Sequence, residues 1–198
     1  AQMQGARDVE VIPHGSLAKR FLRYKRQGVT KEPLVLFFGR IESYKGLDVL
    51  IEAGIILRNE LRIAVAGPGR IPPTLLNRIR AHPDIFELHN RYLADWEVAE
   101  LFQRSVVCVL PYHQASQSSI PLIAAAFGVP VVATAVGSFT EDVPRVSGLL
   151  IPPGNPQALA EAVRRAIGIR PRYPEDLEFS LLAEKFVGWY ERIWKILA

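Results

Sequence analysis

Short apolar runs alternate along this chain with longer segments of helical periodicity. Leu34 to Phe38, Leu61 to Ala66, Ile85 to Leu88, Val106 to Leu110 and Val129 to Thr134 carry little or no polar alternation. That is the pattern of parallel strands covered on both faces. Gly148 to Ile151 reads as a shorter edge strand. Between the runs, apolar residues recur at helical spacing. One helix is expected from about Lys45 to Asn59, with Leu47, Leu50, Ile51, Ile55 and Leu57 inward. Pro72 and Pro73 open another, to about Ala81. Asp95 is placed to cap a third, ending near Arg104. Ser118 to Phe127 and Pro156 to Ile167 follow, the latter with Leu159, Ala162, Val163 and Ala166 inward. Strands alternating with helices imply right-handed crossovers and one doubly wound parallel α/β sheet.

The ends of the chain read differently. Val9 to Ile12 alternates as a short strand would, and Pro13-His14-Gly15 reads as a turn. Ser16 to Glu32 is basic and irregular, and reads as a solvated linker face. Pro171 to Pro174 breaks the chain before a last helix, from about Pro174 to Leu197. That helix carries Leu177, Leu181, Phe186, Trp189, Tyr190, Ile193 and Leu197 largely on one stripe, for packing against this domain or a neighbour. A helix lying on a membrane surface is the minor alternative. The expected organisation is the end of a preceding N-terminal domain and an interdomain linker over 1–32, a Rossmann-like α/β domain over 33–172 and a C-terminal helix over 173–198.

Composition narrows the classes. The 198 residues suffice for one α/β domain with a core, and 49% apolar against 22% charged is an ordinary globular balance. No apolar run approaches the roughly 18 residues of a membrane span. The single Cys108, inside an apolar run, excludes an internal disulfide. These features favour the cytoplasm. A net charge of +4 suits phosphate-bearing ligands or an anionic membrane surface, and leaves room for peripheral membrane association. No basic motif interleaved with aromatics calls for nucleic acid.

Candidate chemistry lies in the loops after the strands, because open parallel sheets bind ligands outside the carboxyl ends. Arg40 and Lys45 leave the first such loop as two cations able to face a diphosphate. Gln117, Ser118, Ser119 and Ile120 feed the helix that starts there, and a polar loop entering a helix N-terminus is a ready anion site. Gly67-Pro68-Gly69 lacks the third glycine of the dinucleotide fingerprint, and there is no P-loop. His14, His82, His89 and His113 do not cluster at metal-ligand spacing.

The segments Phe38-Gly39-Arg40-Ile41, Lys45-Gly46-Leu47-Asp48, Ala66-Gly67-Pro68-Gly69, Phe127-Gly128-Val129-Pro130-Val131-Val132 and Gly137-Ser138-Phe139-Thr140-Glu141 occur in an informative order. In this the chain resembles the C-terminal half of GT-B fold glycosyltransferases, family 4, over roughly 11–168. The loop Gln117-Ser118-Ser119 resembles a subgroup with Gln-Ser-Gly there. The resemblance implies a domain cut from a longer enzyme that moves a sugar, with retention, from a nucleotide-diphosphate sugar, without a metal or other cofactor. Arg40 and Lys45 would then stabilise the departing diphosphate. Gly39, Gly67, Arg91, Tyr92, Gln117, Ser118, Ser119, Ile120 and Glu141 would hold the donor, with Arg91 and Tyr92 near the base. Tyr92 reads equally as a core residue, and Glu141 as a capping or solvated acid. The acceptor site would lie on an N-terminal domain. The family's two glutamates, eight positions apart in number, fall here on Ala115 and Ile123. A non-catalytic module binding protein or bare nucleotide, and a GT-B nucleotide-sugar epimerase, stay open beside the transferase.

Overall fold

The computed structural model describes residues 15–197. The expected strand at Val9 to Ile12, and most of the turn after it, lie outside the described residues. The chain runs α1 (Ala18–Leu22), β1 (Leu34–Phe38), α2 (Leu47–Ile56), β2 (Arg62–Ala66), α3 (Pro73–Arg80), β3 (Phe86–His89), α4 (Asp95–Arg104) and β4 (Val107–Leu110). It continues α5 (Ile120–Ala126), β5 (Val131–Thr134), α6 (Phe139–Arg145), β6 (Leu149–Ile151), α7 (Pro156–Ala166) and α8 (Phe179–Leu197).

All strand pairs are parallel, in the order β3-β2-β1-β4-β5-β6. The expected doubly wound sheet is therefore present, and β6 is an edge as its length suggested. The order reverses between β1 and β4. β1 is followed in sequence by neighbours on one side, and β4 by neighbours on the other, so the loops leaving these two strands part and open a crevice. Helices cover both faces: α2 packs with α3 and α7, while α1 packs with α4 and α5. This double cover explains the apolar runs, for β4 and β5 are buried at every position. Phe37, Phe102 and Phe139 are among the largest fully buried side chains, each worth about 2–3 kcal/mol relative to exposure.

Several expectations need correcting. The stretch 16–32 is not irregular throughout. It forms α1, which buries Ala18 and Phe21, and Phe21 meets Phe38 edge-on at 6.4 Å. Asp95 does not cap α4. It sits at the first helical position and receives the Arg20 guanidinium at 2.9 Å, while Glu97 accepts the Ala94 N–H at 2.8 Å and does the capping. The turn that ends in Glu141 is the first turn of α6, a helix the sequence reading missed because Pro144 lies inside it. The last helix starts at Phe179 after a short 3-10 turn, and its first turn is anchored: Leu182 is buried, but Phe186, Val187 and Tyr190 are exposed, as is Trp194 at 75%. Most of its apolar stripe is therefore not spent on packing against the described residues of this domain.

Candidate functional site

The crevice is built by the loop after β1 and the loop after β4. Gly46 brings them together. Its φ of +68° is a left-handed conformation open to glycine, and a Cβ there would lie 1.9 Å from the Pro111 carbonyl oxygen. The His113 N–H donates to the Tyr44 carbonyl at 2.7 Å, closing the same contact. The far wall is fixed by β5: the Thr134 hydroxyl donates to the Tyr112 carbonyl at 2.6 Å, and the Ser138 N–H donates to Ala115 at 3.2 Å. The result is a cavity of about 420 Å³ lined by Tyr44, Lys45, Tyr112, Gln114, Ala115, Ser116, Gln117 and Ser118. Among the described residues no carboxylate lines it.

Lys45 dominates the electrostatics. It is buried, 8% exposed, in a short 3-10 turn ahead of α2. Its ammonium lies 5.0 Å from the Tyr112 ring centroid and 5.9 Å from that of Tyr44. It also sits directly over Gly39, where a Cβ would come within 3.1 Å of Nζ. Burial holds the Lys45 pKa below its ordinary value, and the Arg40 charge adds to that, against an opposing pull from Glu42. Among the described residues no carboxylate pairs with it at ion-pair distance. Aromatic faces stabilise a cation only partly, so this is a buried positive charge short of an anion.

The other expected site residues divide. Gln117 and Ser118 line the cavity with Lys45. Ser119 is the residue before α5 and makes no side-chain cap, and α5 begins two residues later than expected. The Ile120 N–H is taken by the Ser118 hydroxyl at 3.3 Å, and the Ile120 side chain is buried against Gly39. Ile120 is therefore floor, not donor. A side chain at Gly67 would meet the Gly39 carbonyl at 2.2 Å, so Gly67 lets the ends of β1 and β2 approach. Arg40 is exposed and outside the lining. Glu141 is exposed in α6 and also outside it.

Arg91 and Tyr92 follow β3, two strands from β1 and away from the cavity. Arg91 spends its guanidinium on Glu97, with one bond at 3.0 Å. Tyr92 is 76% exposed, which removes the reading as a core residue. Tyr44, Tyr112 and Ser116 were given no role from sequence. Tyr112 lies two residues beyond a buried strand end, which is the signal that would have found it. Among the described residues no group of three or more His, Cys, Asp or Glu is placed to hold a metal ion, and no helix is long and apolar enough to cross a membrane.

Comparison with known proteins agrees with this architecture. Residues 32–168 match the family model for glycosyl transferases group 1. The chain is 29% identical over 194 residues to a D-inositol 3-phosphate glycosyltransferase of Xylanimonas cellulosilytica, covering 91% of this chain and 45% of that protein. It thus spans less than half the length of that relative. Among solved structures it superposes on AviGT4, a glycosyltransferase involved in avilamycin A biosynthesis, with a TM-score of 0.73 and 24% identity over 96% of this chain and 59% of that one. It also superposes on HepE of Anabaena in complex with UDP and glucose, with a TM-score of 0.57 and 22% identity over 76% of this chain and 42% of that one. The fold is that of the Rossmann-like half of such enzymes.

Proposed function

This chain belongs to the glycosyl transferases group 1 family, and from that premise we propose that it is the donor-binding part of a retaining glycosyltransferase. The observation that carries the reading is the buried ammonium of Lys45, in a cavity at the reversal of strand order where the described residues supply neither an anionic partner nor a lining carboxylate. A diphosphate supplies what the site lacks. At roughly 4 Å a pair of unit charges is worth about 4 kcal/mol near a protein surface but about 1 kcal/mol in bulk water. Lys45 therefore does more for the diphosphate than exposed Arg40, whose part is to enlarge the local positive field.

In the proposed reaction the bond between the anomeric carbon and the diphosphate oxygen breaks, and its electron pair stays on the diphosphate. Lys45 stabilises the charge that develops there, with Gln117, Ser116 and Ser118 donating hydrogen bonds to phosphate oxygens. The sugar passes to an acceptor hydroxyl on the face the diphosphate left, and the hydroxyl proton goes to the departing diphosphate oxygen. The acceptor site is assigned to the part of the relatives that this chain does not span, so the chain alone binds donor and transfers nothing. Calorimetric titration with UDP, GDP, ADP and their sugars tests the reading, with UDP first because HepE was solved with it. Binding of one diphosphate that is lost in Lys45→Met is the expected result. No binding of any of them, or measurable transfer to D-inositol 3-phosphate by this chain alone, would overturn it.

A further inference from the structure

A second cavity, of about 340 Å³, lies between α4 and the loop that joins α1 to β1. It shares no lining residue with the Lys45 cavity. Trp96, Glu100, Gln103 and Arg104 line it from one face of α4, spaced as neighbouring turns of a helix bring side chains together. The loop is fixed to that face through its backbone. The Arg26 N–H donates to Gln103 Oε1 at 3.0 Å, the Gln103 amide donates to the Arg26 carbonyl at 2.6 Å, and the Glu32 N–H donates to the Arg104 carbonyl at 2.7 Å. Gln103 is buried, so its two bonds are sheltered from water. The walls therefore stand before any ligand arrives, and little ordering is left to be done on binding.

These walls offer two accessible aromatic rings and a balanced set of polar heads. Trp96 is 47% exposed and Tyr24 39%, and both line the cavity. Asp95, beside Trp96, holds Arg23 at 3.5 Å, and the Arg23 guanidinium lies 5.2 Å from the Tyr24 ring centre, so one frame carries both aromatics. Two lining cations, Arg26 and Arg104, are matched by two lining carboxylates, Glu32 and Glu100. Arg104 and Glu32 are spent on each other at 2.7 Å. The Arg26 guanidinium and the Glu100 carboxylate have no side-chain partner among the described residues, and remain as a free donor and a free acceptor. An ion gains little from a lining whose charges cancel. A wholly apolar ligand would leave both free heads unmet. A sugar answers each feature: its C–H face lies on an aromatic ring, and its rim of hydroxyls both donates and accepts. We propose that this cavity binds an uncharged saccharide, with one sugar ring on the Trp96 indole and hydroxyls bonded to Arg26 and Glu100. Such a site works whether or not the Lys45 cavity takes a diphosphate.

The chain has three tryptophans, so the Trp96 indole N–H is readily followed by NMR. The test titrates the wild-type chain and its Trp96→Ala, Glu100→Ala and Lys45→Met variants with maltotriose and cellotriose, reading amide and indole signals, and measures the Tm of each without sugar. The expected result is a shift of the Trp96 indole signal by at least one sugar, with a Kd of about 1 mM or somewhat weaker. Affinity should fall about tenfold in Trp96→Ala and about threefold in Glu100→Ala, with Tm little changed. Lys45→Met should bind the sugar as wild type does. Should Trp96→Ala melt early, Glu100→Ala, which keeps the indole, decides. No shift by either sugar at about 50 mM would overturn this inference, as would equal affinities for wild type and both α4 variants. A loss in Lys45→Met with none in Trp96→Ala would place the sugar in the Lys45 cavity, overturning this inference and leaving the donor-site reading in force.

Discussion

The two ends of the sheet treat their least exposed cations in opposite ways. Where the strands begin, they are paired. Arg104 is held by Glu32 at 2.7 Å and by Glu87 at 3.2 Å, and the Lys31 ammonium donates to the carbonyls of Phe102 and Ser105 at 3.2 and 2.7 Å. Where the strands end, Lys45 is more buried than Arg104 yet has no such partner among the described residues. A buried charge that is paired belongs to the fold, and one left unpaired costs stability that a ligand can return. One end of the sheet is closed by its own side chains, and the other awaits an anion.

The sharpest way to break the contrast is at Gly46. Gly46→Ala forces a Cβ against the Pro111 carbonyl at a left-handed φ, and should lower stability by about 3 kcal/mol in denaturant unfolding. It should also abolish diphosphate binding, since the two loops would no longer meet. Lys45→Met asks the open end directly. Affinity for the bound diphosphate should fall about thirtyfold or more by calorimetry, while the unligated chain unfolds at the same or a higher temperature. Arg104→Met asks the closed end the same question. Taking the guanidinium from Glu32, and leaving Glu87 with only His89 and Arg62, should cost about 1–2 kcal/mol, the group being partly screened, with diphosphate affinity unchanged.

The smallest effect concerns pH. Hydrogen bonds from Arg91 and then from the Ala94 N–H hold the Glu97 carboxyl at about 2, below its ordinary 4.5. The unfolded chain binds that proton first, so the contribution is complete above about 4.5 and is lost as pH falls toward 2. Thermal unfolding from pH 5 to 2 should show a shallower fall for Arg91→Ala than for the native chain.

The sheet was legible because parallel strands buried on both faces must be apolar throughout, and Leu34 to Phe38 or Val106 to Leu110 fit little else. The inward face of α7 was legible for the same reason, with Leu159, Ala162, Val163 and Ala166 all buried. α1 was not, since only two buried residues mark it among basic ones, and α6 was hidden by its proline. Nor did the residues of α8 reveal that most of its apolar stripe would be left uncovered, because periodicity records a face and not what lies against it.

The site shows the same division. Sequence singled out Lys45, Gln117 and Ser118 by the loops they occupy, because topology fixes which loops surround a crevice. It grouped them with Arg91 and Tyr92, which lie two strands away, and with Ile120, whose N–H is spent within its own turn. Chain order thus determined the strands, their crossovers and the end of the sheet where chemistry belongs. Tertiary packing alone decided that Lys45 would be buried without a counter-charge among the described residues and that Tyr112 would line the same cavity. Burial and pairing depend on residues brought together from far apart in the chain: Gly46 onto Pro111, and Thr134 onto Tyr112.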